Sequence, residues 1–169
     1  MLSDNIISER LILRNMVQDD AKYVWEIWSN SENEKYMHDP VESLEEMISI
    51  CKNNKNNNDY LTVAMVKDTG EIIGTCCFGS TNRKNEWGLG YSIKQKFWGK
   101  GYATEIVKSV IAFGYGLGIT DFIADCAIEN IASWKVMGKC GMSIDHKSTL
   151  KQPKTNIVYE SYVYRLHLD

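Results

Sequence analysis

The 169-residue chain has no apolar run approaching the roughly 20 residues that cross a bilayer, and its start, Met1-Leu-Ser-Asp-Asn, lacks a charged segment followed by an apolar stretch. No membrane partner and a cytoplasmic location are therefore expected. An excess of one charge is also missing: 19 Lys and Arg stand against 22 Asp and Glu, a net charge of -3. A nucleic-acid reader needs a basic face, so no nucleic-acid partner is expected. The five cysteines, at 51, 76, 77, 126 and 140, contain no Cys-x-x-Cys pair, and an odd count suggests neither a zinc site nor a disulfide framework. They read as small buried apolar residues, and no metal is expected. Only three histidines are present, His38, His146 and His167, scattered through regions read as loop or strand. Nothing in the sequence places one beside a cysteine as a nucleophile's partner.

What the chain does have is a glycine turn between a strand and a helix, within residues 88–106. Gly99 and Gly101 let the backbone approach a ligand closely and adopt dihedrals that a side chain forbids. The amides that follow open a helix, where unpaired N–H groups and the helix dipole bind anions such as a pyrophosphate. Two glycines also make an ordinary tight turn, which is the competing reading. The context favours the ligand: an alternating strand precedes the turn, and Ala103, Ile106, Val107, Val110 and Ile111 share one face of the helix that follows. A dinucleotide fingerprint would need a third glycine where Thr104 stands.

The remaining pattern predicts one domain, 1–169, with the order β-α-α-β-β-β-α-β-α-β-β. A first strand is expected from Glu9 to Arg14, and a helix start at Asp19 and Asp20 with Ala21, Val24, Trp25 and Trp28 as its apolar face. Ser43 and Glu46 form a capping box for a second helix, with Leu44, Met47, Ile48 and Cys51 at helical spacing. The polar run 53–58 reads as a surface loop. Leu61, Val63 and Met65 alternate, Asp68-Thr-Gly70 makes a hairpin turn, and residues 72–79 and 86–93 continue the sheet. After the glycine-led helix come a buried strand at 121–127, a helix from Asn130 to Cys140 stopped by Gly141, and a closing strand at 156–168.

Lys96-Phe-Trp-Gly99-Lys-Gly101, preceded by Gly90-Tyr91 and followed by Tyr102-Ala-Thr-Glu105, resembles the cofactor-binding signature of the GNAT superfamily of acyl-CoA N-acyltransferases. Lys96 departs from that signature, which begins with Gln or Arg. The branch that includes the ribosomal-protein N-terminal (Rim-type) acetyltransferases is the closest match. A second block, Asn130-Ile-Ala-Ser133 with Gly141-Met142 downstream, resembles the family's Asn-x-x-Ser and Gly-Phe pair. The resemblance implies an α/β fold with a mixed, mostly antiparallel central sheet, splayed middle strands and flanking helices.

It also implies an acetyl-CoA-dependent N-acetyltransferase acting on a primary amine, either a protein N-terminus or a small molecule, as monomer or homodimer. Acetyl-CoA is the expected cosubstrate: its phosphates would sit on the amides of Trp98, Gly99, Lys100, Gly101, Tyr102, Ala103 and Thr104. The pantetheine arm would lie between strand lips at Ile93 and Cys126 and touch Asn130. Ser133 would donate to the leaving thiolate, since the tyrosine that many members carry seven residues after the asparagine is replaced by Met137. Glu86 is the expected base, two residues before Gly88, where that branch often has a glutamate; Asp125 is the alternative. Against these roles stand plainer readings: Glu86 as a solvent-facing carboxylate, Asn130 as a simple N-cap, and Lys94, Lys96, Lys100, Lys135 and Lys139 as solvated surface, one of which would meet the 3′-phosphate. Trp25, Trp28 and Tyr36 read as core, beside a pocket where Glu26, Glu32 and Glu34 favour a cationic amine. A non-catalytic acyl-CoA-binding module is the second reading, and a nicotinamide-dependent oxidoreductase a distant third.

Overall fold

The structure, a computed structural model, describes residues 2–37, 40–54 and 59–169. His38 and positions 55–58 of the expected polar loop lie outside the described residues. Eight strands form one sheet: β1 (Ile6–Ile7), β2 (Leu11–Asn15), β3 (Asp59–Val66), β4 (Ile72–Ser80), β5 (Glu86–Ile93), β6 (Asp121–Ala127), β7 (Ser143–Lys151) and β8 (Val158–His167). The helices are α1 (Ala21–Trp28), α2 (Ser31–Glu34), α3 (Leu44–Asn53), α4 (Tyr102–Gly116) and α5 (Ile131–Lys139). Strand order across the sheet is β1-β2-β3-β4-β5-β6-β8-β7, antiparallel throughout except for the β5–β6 pair. That one parallel pair follows from its connection, because a strand returning beside its predecessor through a helix runs in the same direction.

Both faces of the sheet are covered, which splits the core in two. Val24 and Ile27 of α1 and Met47 and Cys51 of α3 pack on one face against Val63 and Ile72. Ile106, Val107, Val110 and Ile111 of α4, with Met137 of α5, pack on the other against Trp87, Leu89 and Phe122. The buried stripe of α4 is the apolar face expected from its sequence, with Gly114 added where the helix lies closest to the sheet.

Several expectations need correction. The last strand in sequence is not last in the sheet: β8 lies between β6 and β7, and the edges are β1 and β7. The first long strand starts at Leu11, because Ser8 N donates to Leu11 O (3.0 Å) and closes a turn against the two-residue β1, an element absent from the sequence reading. The short helix α2 was also unforeseen; Asn30 caps it by accepting from the Glu32 amide. In α1 the buried face is Ala21, Val24 and Ile27, so Trp25 and Trp28 sit at its margin rather than its centre. Asn53 and Asn54 extend α3 instead of entering a loop: buried Asn54 donates to Met16 O (2.9 Å) and Leu61 O (3.0 Å).

A Cβ added at Gly114 would stand 2.9 Å from both Phe122 Cε1 and Trp87 Cε3, atoms of rigid rings rather than flexible chain ends. Overpacking of this kind destabilises by about 1–3 kcal/mol. Gly114→Ala is therefore expected to lose about 2 kcal/mol in urea denaturation, outweighing its gain in helix propensity. A variant as stable as the parent would show that α4 can shift away from the sheet without loss.

Candidate active site

The strands β5 and β6 pair only at Glu86–Asp121, Trp87–Phe122 and Gly88–Ile123, although β5 runs on to Ile93 and β6 to Ala127. Beyond those three positions they diverge and leave a gap. Backbone groups alternate sides along a strand, so the ends of β5 show which residues face it. Glu86 O accepts from Thr81 N and Lys94 N donates to Ile73 O, both toward β4, which turns the backbone groups of Leu89, Tyr91 and Ile93 toward the gap. On β6, Asp121 N bonds to β5 through Asn85 O, while Ile128 N bonds away from it to Glu160 O. The second lip is therefore formed by the backbone of Asp125 and Ala127. The backbone of Cys126 faces β8, a correction to the expected lip, although its side chain lines the cleft. Ile93 O is already engaged, accepting from Trp98 Nε1 at 2.8 Å and Asn33 Nδ2 at 3.1 Å.

At the open end of the gap stands the glycine turn. Gly99 (φ 74°) and Gly101 (φ 81°) are left-handed, and a Cβ at Gly99 would meet nothing within 4 Å. Glu105 N to Gly101 O is the first bond of the helical ladder, so no carbonyl among the described residues accepts from the amides of Gly99, Lys100, Gly101, Tyr102, Ala103 and Thr104. Trp98 does not belong to this cradle: its amide donates to Gln95 O (3.0 Å) and its indole to Ile93. The Glu105 carboxylate in the first turn would repel an anion, but it is held elsewhere. Ser8 Oγ, the Arg10 amide and Arg10 Nε each donate to it at 2.7 Å. Burial pushes the Glu105 carboxyl up, and these donors outweigh burial and hold it below the usual range. Arg10 also donates to Lys100 O (3.0 Å) and lies over the Tyr102 ring, which places a guanidinium beside the cradle.

A cleft of about 1180 Å³ runs from this turn through the gap to the opposite face of the sheet. On the turn side it is lined by Tyr91, Cys126, Asn130 and Ser133. Asn130 caps α5, its Oδ1 accepting from Ser133 N at 3.1 Å, and Ser133 Oγ lies 3.1 Å from Tyr91 Oη. Lys135 and Lys139 of α5 reach the same cleft, whereas Lys94 and Lys96 are tied to Glu26 (2.7 Å) and Glu71 (2.6 Å). Lys100 lies over the Phe97 ring. The far side of the cleft is aromatic and apolar, with Trp28, Tyr36, Met37, Val41 and Leu150, so two of the three aromatics expected in the core line a cavity instead. Trp28 Nε1 is fixed by Thr75 Oγ1 at 2.9 Å. Four carboxylates reach the cleft: Glu46 is paired with Lys154 (2.8 Å), Glu129 lies 3.9 Å from Lys35, and Asp125 and Glu32 have no ion-pair partner among the described residues.

Glu86, the expected base, lies at the closed end of the gap and does not line the cleft. It is 4% exposed, accepts from Thr81 Oγ1 at 2.7 Å and is ion-paired with Arg165 Nη1 at 2.5 Å. Arg165 also meets Asp121 (3.5 Å) and Asp145 (3.2 Å), so one guanidinium of β8 joins carboxylates from β5, β6 and β7. Burial pushes the Glu86 carboxyl up, but Thr81, Arg165 and Arg83 together hold it below the usual carboxylate range. Gly90 is four residues along β5, about 13 Å at the usual rise per residue. The solvent-facing alternative also fails, because the side chain is buried. Among the functional candidates, Tyr91 and Asn33 were missed as contacts: Tyr91 appears in the sequence only as part of a motif, and Asn33 lies in an unforeseen helix.

Among the described residues, no helix is long and apolar enough to cross a membrane, and no group of three or more His, Cys, Asp or Glu could hold a metal ion. Residues 10–143 match the family description "Acetyltransferase (GNAT) domain". The chain is similar to the uncharacterized N-acetyltransferase YnaD of Bacillus subtilis (strain 168), 27% identical over 163 residues and covering 96% of each chain. A solved GNAT-family acetyltransferase from Bacillus anthracis superposes with a TM-score of 0.87 at 24% identity, covering 97% of this chain and 98% of that one. The ribosomal L7/L12 α-N-protein acetyltransferase RimL, solved in complex with coenzyme A, superposes with a TM-score of 0.83 at 16% identity, covering 98% and 99%.

Removing one partner of a buried ion pair destabilises by about 3–5 kcal/mol, so Glu86→Gln is expected to lose about 3 kcal/mol at pH 7. Because the folded-state pKa is depressed, the pair stabilises the fold above about pH 4.5, the ordinary glutamate value, and this is lost as pH falls through the folded pKa. Urea denaturation at pH 7 and pH 3 is expected to show the gap between parent and variant closing in acid. A pH-independent gap would mean that Glu86 does not titrate as part of this pair.

Proposed function

Because the chain belongs to the acetyltransferase (GNAT) domain family, whose members are acyl-CoA-dependent acetyltransferases, we propose that it is an N-acetyltransferase moving an acetyl group from acetyl-CoA to a primary amine by direct attack in a ternary complex. The observation that carries this reading is one cleft open on both sides of the sheet, with unpaired amides at one end and free carboxylates at the other. The donor fits what is present. Left-handed glycines permit close approach of phosphates to the amides from Gly99 to Thr104, and Arg10, Lys135 and Lys139 supply positive charge nearby. The gap-facing backbone of Leu89, Tyr91 and Asp125, with the amides of Ile93 and Ala127, offers the amide-sized partners that a pantetheine arm requires.

The thioester brings an activated acyl group, so the protein's part is positioning, proton removal and support of charge on oxygen and sulfur. Asp125 takes the role first expected of Glu86. Exposed in the cleft on β6, it faces the acceptor side and is placed to accept the proton of an ammonium. Amides of β5 turned into the gap support charge on the carbonyl oxygen, and Ser133 donates to the departing sulfur. Aromatic Trp28 and Tyr36 with Asp125 and Glu32 suit a cationic acceptor carrying an apolar portion, a protein N-terminus or a small amine.

The locked Glu86 and the bare strand at Gly88 favour a second reading, an acyl-CoA-binding module without turnover. Thiol release from acetyl-CoA with a panel of amines and N-terminal peptides separates the two. Acceptor-dependent release is expected, falling tenfold or more in Asp125→Asn and persisting in folded Glu86→Gln. CoA binding without release under any acceptor would favour the module. Ser133→Ala is expected to lower turnover at least tenfold while leaving acetyl-CoA affinity within twofold, measured by steady-state kinetics and calorimetry; unchanged turnover would remove Ser133 from the mechanism.

A further inference from the structure

We propose that Tyr91 is a positioning residue for the thiol side of this reaction, its hydroxyl donating to Ser133 Oγ so that the serine proton is turned into the gap. The inference rests on the reading of Ser133 as the group facing sulfur. Tyr91 reaches Ser133 from the opposite wall: it stands on β5, Ser133 on α5, and the two oxygens meet at 3.1 Å in the cleft between them. A hydroxyl has one proton and two acceptor positions, so which atom donates decides where the serine proton points. A phenol is the stronger acid of the two and the better donor. Burial pushes the Tyr91 phenol up, so it stays protonated across the neutral range and remains a donor.

Other neighbours leave the same arrangement. Ser133 is held by its backbone, whose amide donates to Asn130 Oδ1 at 3.1 Å. The Cys126 thiol beside it donates to Ala127 O (3.4 Å) and Asn130 O (3.7 Å), which leaves its sulfur, within hydrogen-bond reach of Ser133, as a weak acceptor. With Tyr91 donating into one lone pair of Ser133 Oγ, the serine proton is left with the weak Cys126 sulfur acceptor, which a thiolate in the gap outcompetes. Donation from a phenol also polarises the serine O–H and strengthens its own donation to sulfur. No proton has to leave Tyr91 in this scheme.

The test is a double-mutant cycle of Tyr91→Phe and Ser133→Ala. Tyr91→Phe keeps the ring and removes one oxygen. It is expected to lower kcat about fivefold, in the range one neutral hydrogen bond supplies, with KM for acetyl-CoA within twofold. The double variant is expected to be no slower than Ser133→Ala alone. A second readout needs no turnover: the calorimetric preference for CoA over desulfo-CoA is expected to fall at least threefold in Tyr91→Phe and in Ser133→Ala alike. Incorporation of 3-fluorotyrosine at position 91, which retains the hydroxyl, is expected to keep both kcat and that preference, distinguishing lost donation from lost packing. Losses that multiply in the double variant, or an unaltered Tyr91→Phe beside an impaired Ser133→Ala, would overturn the inference while leaving Ser133 in place. An unaltered Ser133→Ala would overturn both.

Discussion

One guanidinium organises the centre of this sheet. Arg165 on β8 is ion-paired with Glu86 on β5 and lies within 3.5 Å of Asp121 on β6 and 3.2 Å of Asp145 on β7. It gathers carboxylates that would repel one another, at the end where β5 and β6 are paired. Beyond Gly88 and Ile123 no such tie exists among the described residues, and the two strands part. Charge pairing at one end and divergence at the other follow from the same strands.

Divergence has an electrostatic counterpart at the turn that follows β5. Unpaired amides at the start of α4 form a positive end, and a glutamate in the first turn would oppose an incoming anion. The fold removes that opposition by drawing Glu105 onto Ser8 and Arg10, at the junction of β1 and β2. The same arginine reaches Lys100 O and the Tyr102 ring, so a contact 95 residues apart in sequence shapes the cradle and adds positive charge beside it. Across the gap, Ile93 O joins the two halves of the cleft: Trp98 approaches it from the turn side and Asn33 from α2 on the far side.

The parts of the site legible in the sequence are those made by neighbours along the chain. Left-handed glycines at 99 and 101, the open first turn of α4 and the Asn130 cap are local consequences of residue type, and they appear where the pattern placed them. For Glu86 the alternation along β5 was legible but its place along the strand was not: it shares a face with Gly90 and lies at the end of β5 that is paired with β6, outside the cleft. Its partner Arg165 is 79 residues away, and no local pattern announces it. Cys126 misled for a different reason, since parity on β6 turns its backbone toward β8 and leaves Asp125 and Ala127 at the gap.

By itself the sequence determined the α/β character, the amphipathic stripe of α4, the left-handed glycine turn with its open helix end and the family signature, because hydrophobic period, glycine dihedrals and helix termini are local properties. Tertiary structure alone decided that β8 inserts between β6 and β7, that Glu86 is buried in an ion pair with Arg165, and that Tyr91 meets Ser133 across the cleft. Each of those outcomes is a pairing between distant segments. Such pairings are set by how the two helical layers and the strand register close around the sheet, and many registers are compatible with the same local pattern.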